Sequence, residues 1–102
     1  MVLKSEDWDI IDATNSSKWL AQLNSELDQT HPLYRKATKA LARCYGRDDV
    51  LYLLEGGQCA IVHLTYSLSN ADGWPRFVIF EKLEDAEEYI AAAEYYGVSY
   101  VE

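Results

Sequence analysis

Cysteine is scarce in this chain: 102 residues hold only Cys44 and Cys59. They stand 15 positions apart, with no Cys-x-x-C pair and no Cys/His cluster of metal-ligand spacing. That spacing excludes a disulfide framework and a zinc site of the usual kind, so both read as reduced core residues and no metal is expected. Basic residues are also few, nine against seventeen acidic ones, for a net charge of −8. Binding to DNA or RNA phosphates relies on Lys and Arg displacing counterions, so nucleic acid is a disfavoured partner. An acidic balance suits solubility or attraction to a basic partner. No apolar run approaches the roughly 20 residues of a membrane span. The N-terminus reads Met1-Val2-Leu3-Lys4-Ser5-Glu6-Asp7, without the apolar segment of a secretory signal, so a soluble, cytoplasmic protein without membrane contact is expected. Gly-x-Ser-x-Gly, His-Glu-x-x-His and a phosphate-binding glycine loop are all missing, and no cofactor is expected.

What is present is a chain that folds. Nearly half of it is hydrophobic, 49%, with 25% charged, and its length fits one domain over 1–102. Residues 1–13 are acidic around Trp8-Asp9-Ile10-Ile11 and read as an N-terminal arm or edge strand. The N-cap residues Thr14-Asn15-Ser16-Ser17 precede Trp19, Leu20, Leu23 and Leu27 on one helical face, which predicts a helix over 17–28. Pro32 suits a first helical turn, and Leu33, Ala37, Ala40, Leu41 and Cys44 form a helical stripe that predicts a second helix stopped at Gly46. Arg35, Lys39 and Arg43 would then share its solvent face. His31 reads as a capping or solvent-exposed residue.

The stretch from Val50 to Glu81 is rich in strand formers. Gly56-Gly57 predicts a two-residue hairpin turn, which pairs Leu53 with Ala60, Leu51 with Val62, Leu54 with Cys59, Tyr52 with Ile61 and Val50 with His63. A polar loop, Ser67 to Pro75, leads to a third strand over Arg76 to Glu81. Leu83 to Tyr96 is a helix whose early acids suit the positive end of its dipole. Gly97 ends it, and Val98 to Val101 reads as a short closing strand. The expected fold is thus α+β: a three- to four-stranded antiparallel sheet, two N-terminal helices and one C-terminal helix, packed mainly on one face.

Such a sheet leaves its other face open. Tyr52, Ile61, His63, Thr65, Trp74, Arg76, Val78 and Phe80 are the candidate surface there, too apolar to stay in water unpartnered. His63 titrates near neutrality, yet no nucleophile or carboxylate stands in register with it, which favours a structural role. Arg76, beside Trp74-Pro75, could grip a carboxylate or phosphate with its planar fork. Eight tyrosines and three tryptophans suit both cores and interfaces.

The string Ala60-Ile61-Val62-His63-Leu64-Thr65-Tyr66-Ser67, followed by Trp74-Pro75-Arg76 and an acidic helix, resembles a pattern in small uncharacterised bacterial proteins. The resemblance covers about the last half of the chain. It implies a stand-alone bacterial cytosolic domain of immunity or antitoxin type, and it supplies no catalytic residue. The reading that follows is a non-enzymatic protein-interaction domain that self-associates, as a homodimer, or binds a protein partner through the open face. Two alternatives stand beside it: a small-ligand domain or modest enzyme centred on His63 and Arg76, and an acidic inhibitor of a basic toxin.

Overall fold

A computed structural model describes residues 1, 3–44, 46–66 and 74–92. It shows one antiparallel sheet of five strands in the order β1-β2-β3-β4-β5, with two helices. In chain order these are β1 (Trp8–Ile10), α1 (Ala13–Glu26), β2 (Ala37–Cys44), β3 (Asp49–Leu54), β4 (Cys59–His63), β5 (Arg76–Phe80) and α2 (Leu83–Ala91). The α+β class is as expected, but the sheet is larger and the helices fewer. Most of the Ser67 to Pro75 loop, the end of the C-terminal helix with Gly97, and the closing strand lie outside the described residues.

The expected second helix is a strand. Ala42 and Cys44, two apart, are buried on one face, the period of a strand, while Ala40 is buried on the other. Register shifts between Ala37 and Lys39 and between Ala40 and Ala42 interrupt that alternation, so its apolar positions mimic a helical stripe. Strand pairing on both sides overrides the helix propensity of Ala, Lys and Arg. Arg35, Lys39 and Arg43 therefore do not share a helical face. Nor is His31 exposed: it is buried, its Nδ1 accepts from Leu33 N at 3.0 Å, and its Nε2 therefore donates to the Pro75 carbonyl at 2.9 Å.

The first helix begins earlier than its Ser/Thr cluster suggests. Asp12 is its N-cap, extended in backbone and accepting from Asn15 N at 2.8 Å, which satisfies one orphan amide of the first turn. Ser16 and Ser17 thus sit inside α1. The arm before it becomes edge strand β1, pairing Trp8 with Cys44 and Ile10 with Ala42.

The glycine hairpin forms, but with a three-residue loop, Glu55–Gly57, closed by Leu54 N donating to Gln58 O. Gly56 and Gly57 hold φ of +81° and +93°, a region that favours glycine. The extra loop residue moves the pairing by one place: Leu53 faces Cys59, Tyr52 faces Ala60, Leu51 faces Ile61, Val50 faces Val62 and Asp49 faces His63.

Two helices cover opposite faces, rather than mainly one. On the first face Val50, Tyr52, Leu54, Ala60, Val62 and Phe77 pack with Leu23 of α1, with Leu27 just past its end and with Leu33. On the second, Ala42, Cys44, Leu51, Cys59 and Ile61 pack with Trp8 and with Ala86 and Ile90 of α2. A sheet greasy on both sides needs a layer on each, and α2 with the N-terminal arm supplies the second one.

Tyr52 ties the layers together, its hydroxyl donating to the Trp19 carbonyl at 2.7 Å. Burial, with Glu26 and Tyr66 nearby, pushes its phenol well above the ordinary tyrosine range. An unfolded tyrosine loses its proton near pH 10 while folded Tyr52 keeps it, so its contribution is whole below about pH 10 and declines above. Tyr52→Phe is expected to cost about 1 kcal/mol at pH 7 and to make the alkaline loss of stability shallower. Urea unfolding at several pH values checks both.

Candidate functional site

One row of residues crosses all five strands near one end of the sheet. Trp8 pairs with Cys44, Cys44 with Asp49, Asp49 with His63, and His63 with Arg76. The row belongs to the face that α2 covers, and at its β3–β4–β5 end it turns polar. Asp49 has no exposed surface, yet its carboxylate is matched. His63 Nδ1 lies 2.8 Å from Oδ1, and Arg47 Nε lies 3.5 Å from Oδ2. A buried carboxylate is tolerated only when paired and hydrogen-bonded. The pairing also fixes the imidazole: Nδ1–H donates to Asp49, and Nε2 faces away from that carboxylate. The His63 side chain is 38% exposed, so this face of the network reaches solvent. Next to it, the Arg76 guanidinium lies 4.3 Å over the Trp74 ring. At that distance the cation and the ring attract one another.

The eight candidate residues divide between two faces. His63, Trp74 and Arg76 come together at the polar end of the row. Ile61 is buried, and Val78 and Phe80 pack beside it against the α2 cluster, where Phe80 meets Tyr89 at 5.1 Å between ring centroids. Tyr52 is buried on the opposite face. Thr65 lies past the end of β4, its N–H and Oγ1–H each 2.7 Å from Glu26 Oε1.

Glu26 is a centre that sequence reasoning missed. Its carboxylate is wholly buried and also accepts from Tyr66 N at 3.0 Å and Gln22 Nε2 at 2.8 Å. It clamps the chain after β4, where Tyr66 takes a left-handed φ of +59°, a conformation costly for an aromatic residue. The signal was its place three residues after Leu23, on the buried face of α1. Cys59 lies beneath α2. Burial, then Glu84 and Glu87, push its thiol up, so little reactive thiolate forms at neutral pH.

A third feature lies at the edge of β2. β1 pairs only with Ala42 to Cys44, and Ile11 N adds one bond to the Leu41 carbonyl at 2.9 Å. Beyond that point the Ala40 amide is taken by Ser16 Oγ at 3.0 Å, a side chain standing where a neighbouring strand's carbonyl would be. A groove of about 450 Å³ runs here between α1 and β2, lined by Ile11, Ala13, Ser16, Ser17, Leu20 and Thr38 to Leu41. Exposed Lys39 stands at its β2 side. Trp19 on α1 carries Arg43 over its ring at 4.6 Å and Lys18 at 5.4 Å.

Among the described residues no group of His, Cys, Asp and Glu has the arrangement to hold a metal ion, and no helix is long and apolar enough to cross a membrane. No family model, curated protein or solved structure matches the chain.

Proposed function

We propose that this chain is a non-enzymatic protein-interaction domain that takes an extended, acidic segment of a partner protein alongside the half of β2 that, among the described residues, no other strand pairs with on that side. The observation that carries the reading is the Ala40 amide, held at the sheet edge by Ser16 Oγ above the groove. An edge strand offers its backbone to another strand, and adjoining pockets select alternate side chains. Ile11, Leu20 and Leu41 offer apolar seats, while Lys39 attracts a carboxylate against the general negative charge. The face carrying Ile61, Val78 and Phe80 is not available for this role, because α2 packs on it.

The test is selection of extended peptides on the full chain from a display library, followed by fluorescence anisotropy. Selected peptides should alternate apolar and acidic side chains. Lys39→Glu should weaken them about tenfold or more by placing like charges together, and Ser17→Trp, at an exposed groove position, should abolish binding. Equal affinity in both variants would refute the reading. Sedimentation of the chain alone identifies one particular occupant: a mass that doubles with concentration, and returns to the monomer in Lys39→Glu, assigns the groove to a second copy.

A further inference from the structure

The groove between α1 and β2 is closed at one point by the chain itself. We infer, on the reading that an extended segment docks alongside β2, that Ser16 is the gate of this groove: its hydroxyl holds the Ala40 amide in the free chain and must release it before a partner segment can pair there. Three observations converge on this. Among the described residues, the N-terminal arm gives β2 its last backbone bond at Leu41, whose carbonyl accepts from Ile11 N, and Ala40 is the next amide along the strand. Ser16 Oγ accepts from that amide at 3.0 Å, and both residues line the groove, so the bond runs from its α1 wall to its β2 wall. A serine hydroxyl inside a helix commonly bonds back to a carbonyl of its own helix, whereas Ser16, four residues into α1, reaches across to another element.

A gate differs from a seat in the sign of its effect. Truncating a side chain that only touches the bound segment weakens binding, because its contacts are lost. Truncating one that competes with the segment strengthens binding. Apparent affinity scales with the fraction of the chain in which the Ala40 amide is free, so removing the competitor removes that reduction. The gain is modest, because water takes the place of the lost hydroxyl and the net worth of one hydrogen bond is small. The same bond guards the edge of β2 in the free chain, as native sheets do wherever a strand would otherwise offer its backbone to any neighbour.

Fluorescence anisotropy with the tightest peptide selected on the native chain tests the gate. Ser16→Ala should bind that peptide about threefold or more tighter. Ser25→Ala removes another α1 hydroxyl, one that donates to the Gln22 carbonyl outside the groove lining, and should leave the affinity unchanged. In the free chains the Ala40 amide should exchange with solvent faster in Ser16→Ala than in the native protein. Alanine is the stronger helix former, so Ser16→Ala is expected to fold, and its circular dichroism checks this. Unchanged or weaker binding in Ser16→Ala would overturn the gate and leave Ser16 an ordinary groove contact. Equal tightening in Ser25→Ala would overturn it too, since the effect would then belong to the helix and not to Ala40. These results are distinct from failure of the docking reading. With the gate alone refuted, Lys39→Glu and Ser17→Trp still weaken binding; if they bind as the native chain does, or no peptide is selected, docking and gate fall together.

Discussion

Replacing Glu26 by glutamine is expected to destabilise the protein by about 2–3 kcal/mol, although the two side chains have nearly the same shape. Oε1 accepts from both the N–H and the hydroxyl of Thr65, and Oε2 accepts from Tyr66 N and Gln22 Nε2. An amide has only one oxygen. Whichever way it turns, its NH₂ group faces donors and leaves at least one buried N–H without an acceptor. Removing the charge does lift a desolvation cost. Four donors converging on one carboxylate outweigh it, since hydrogen bonds to a charged group are about twice as strong as neutral ones. Urea unfolding measures the loss, and the Tyr66 amide should exchange faster in the variant. A change within about 0.5 kcal/mol, the usual range of a surface substitution, would mean that the clamp contributes little.

Ala42→Lys is expected to cost more, about 3–5 kcal/mol, with a partly unfolded spectrum at room temperature. Ala42 lies between Ile10 and Leu51 in the sheet and has no exposed surface beneath the α2 cluster. A lysine there must either bury its ammonium unpaired or push the layers apart. The substitution separates the two descriptions of this segment. In a helix whose stripe is Leu33, Ala37, Ala40, Leu41 and Cys44, position 42 would face water and the change would be nearly silent. Lys39→Ala, at an exposed position of the same strand, should change stability by less than about 0.5 kcal/mol. Circular dichroism with urea unfolding reads both.

This segment also shows where sequence patterning stopped being informative. α1, the β3–β4 hairpin, β5 and the start of α2 carry periods of 3.6 or 2 long enough to be read directly. In β2 the residues that pack are alanines, whose small size suits a strand crowded on both faces but whose propensity is helical. Two register shifts erase the alternation that would have corrected this. The helices' division between faces was hidden for a related reason: which face of β3 meets which face of β4 depends on one loop residue at Gly56-Gly57.

That same residue concealed half of the polar site. A two-residue turn sets Val50 opposite His63, so the histidine seems to lack a carboxylate. The actual three-residue loop brings Asp49 there instead. His63, Trp74 and Arg76 are among the eight candidates singled out in the sequence, but their convergence depends on the register of β5, which the preceding loop leaves open in the sequence. Asp49 and Glu26 were not singled out, because Asp49 meets His63 and Glu26 meets Thr65 only across different elements, and Arg47 gains its meaning only from Asp49. The β2 groove depends on where β1 stops pairing, a tertiary fact that no local pattern encodes.

Amide hydrogen exchange with a selected peptide bound is the most direct measurement of the central claim. If an extended segment docks along β2, protection should rise at Thr38 to Leu41, with Ala40 changing most as its amide exchanges Ser16 Oγ for a peptide carbonyl. Added protection over α2, with Thr38 to Leu41 unchanged, would contradict the account.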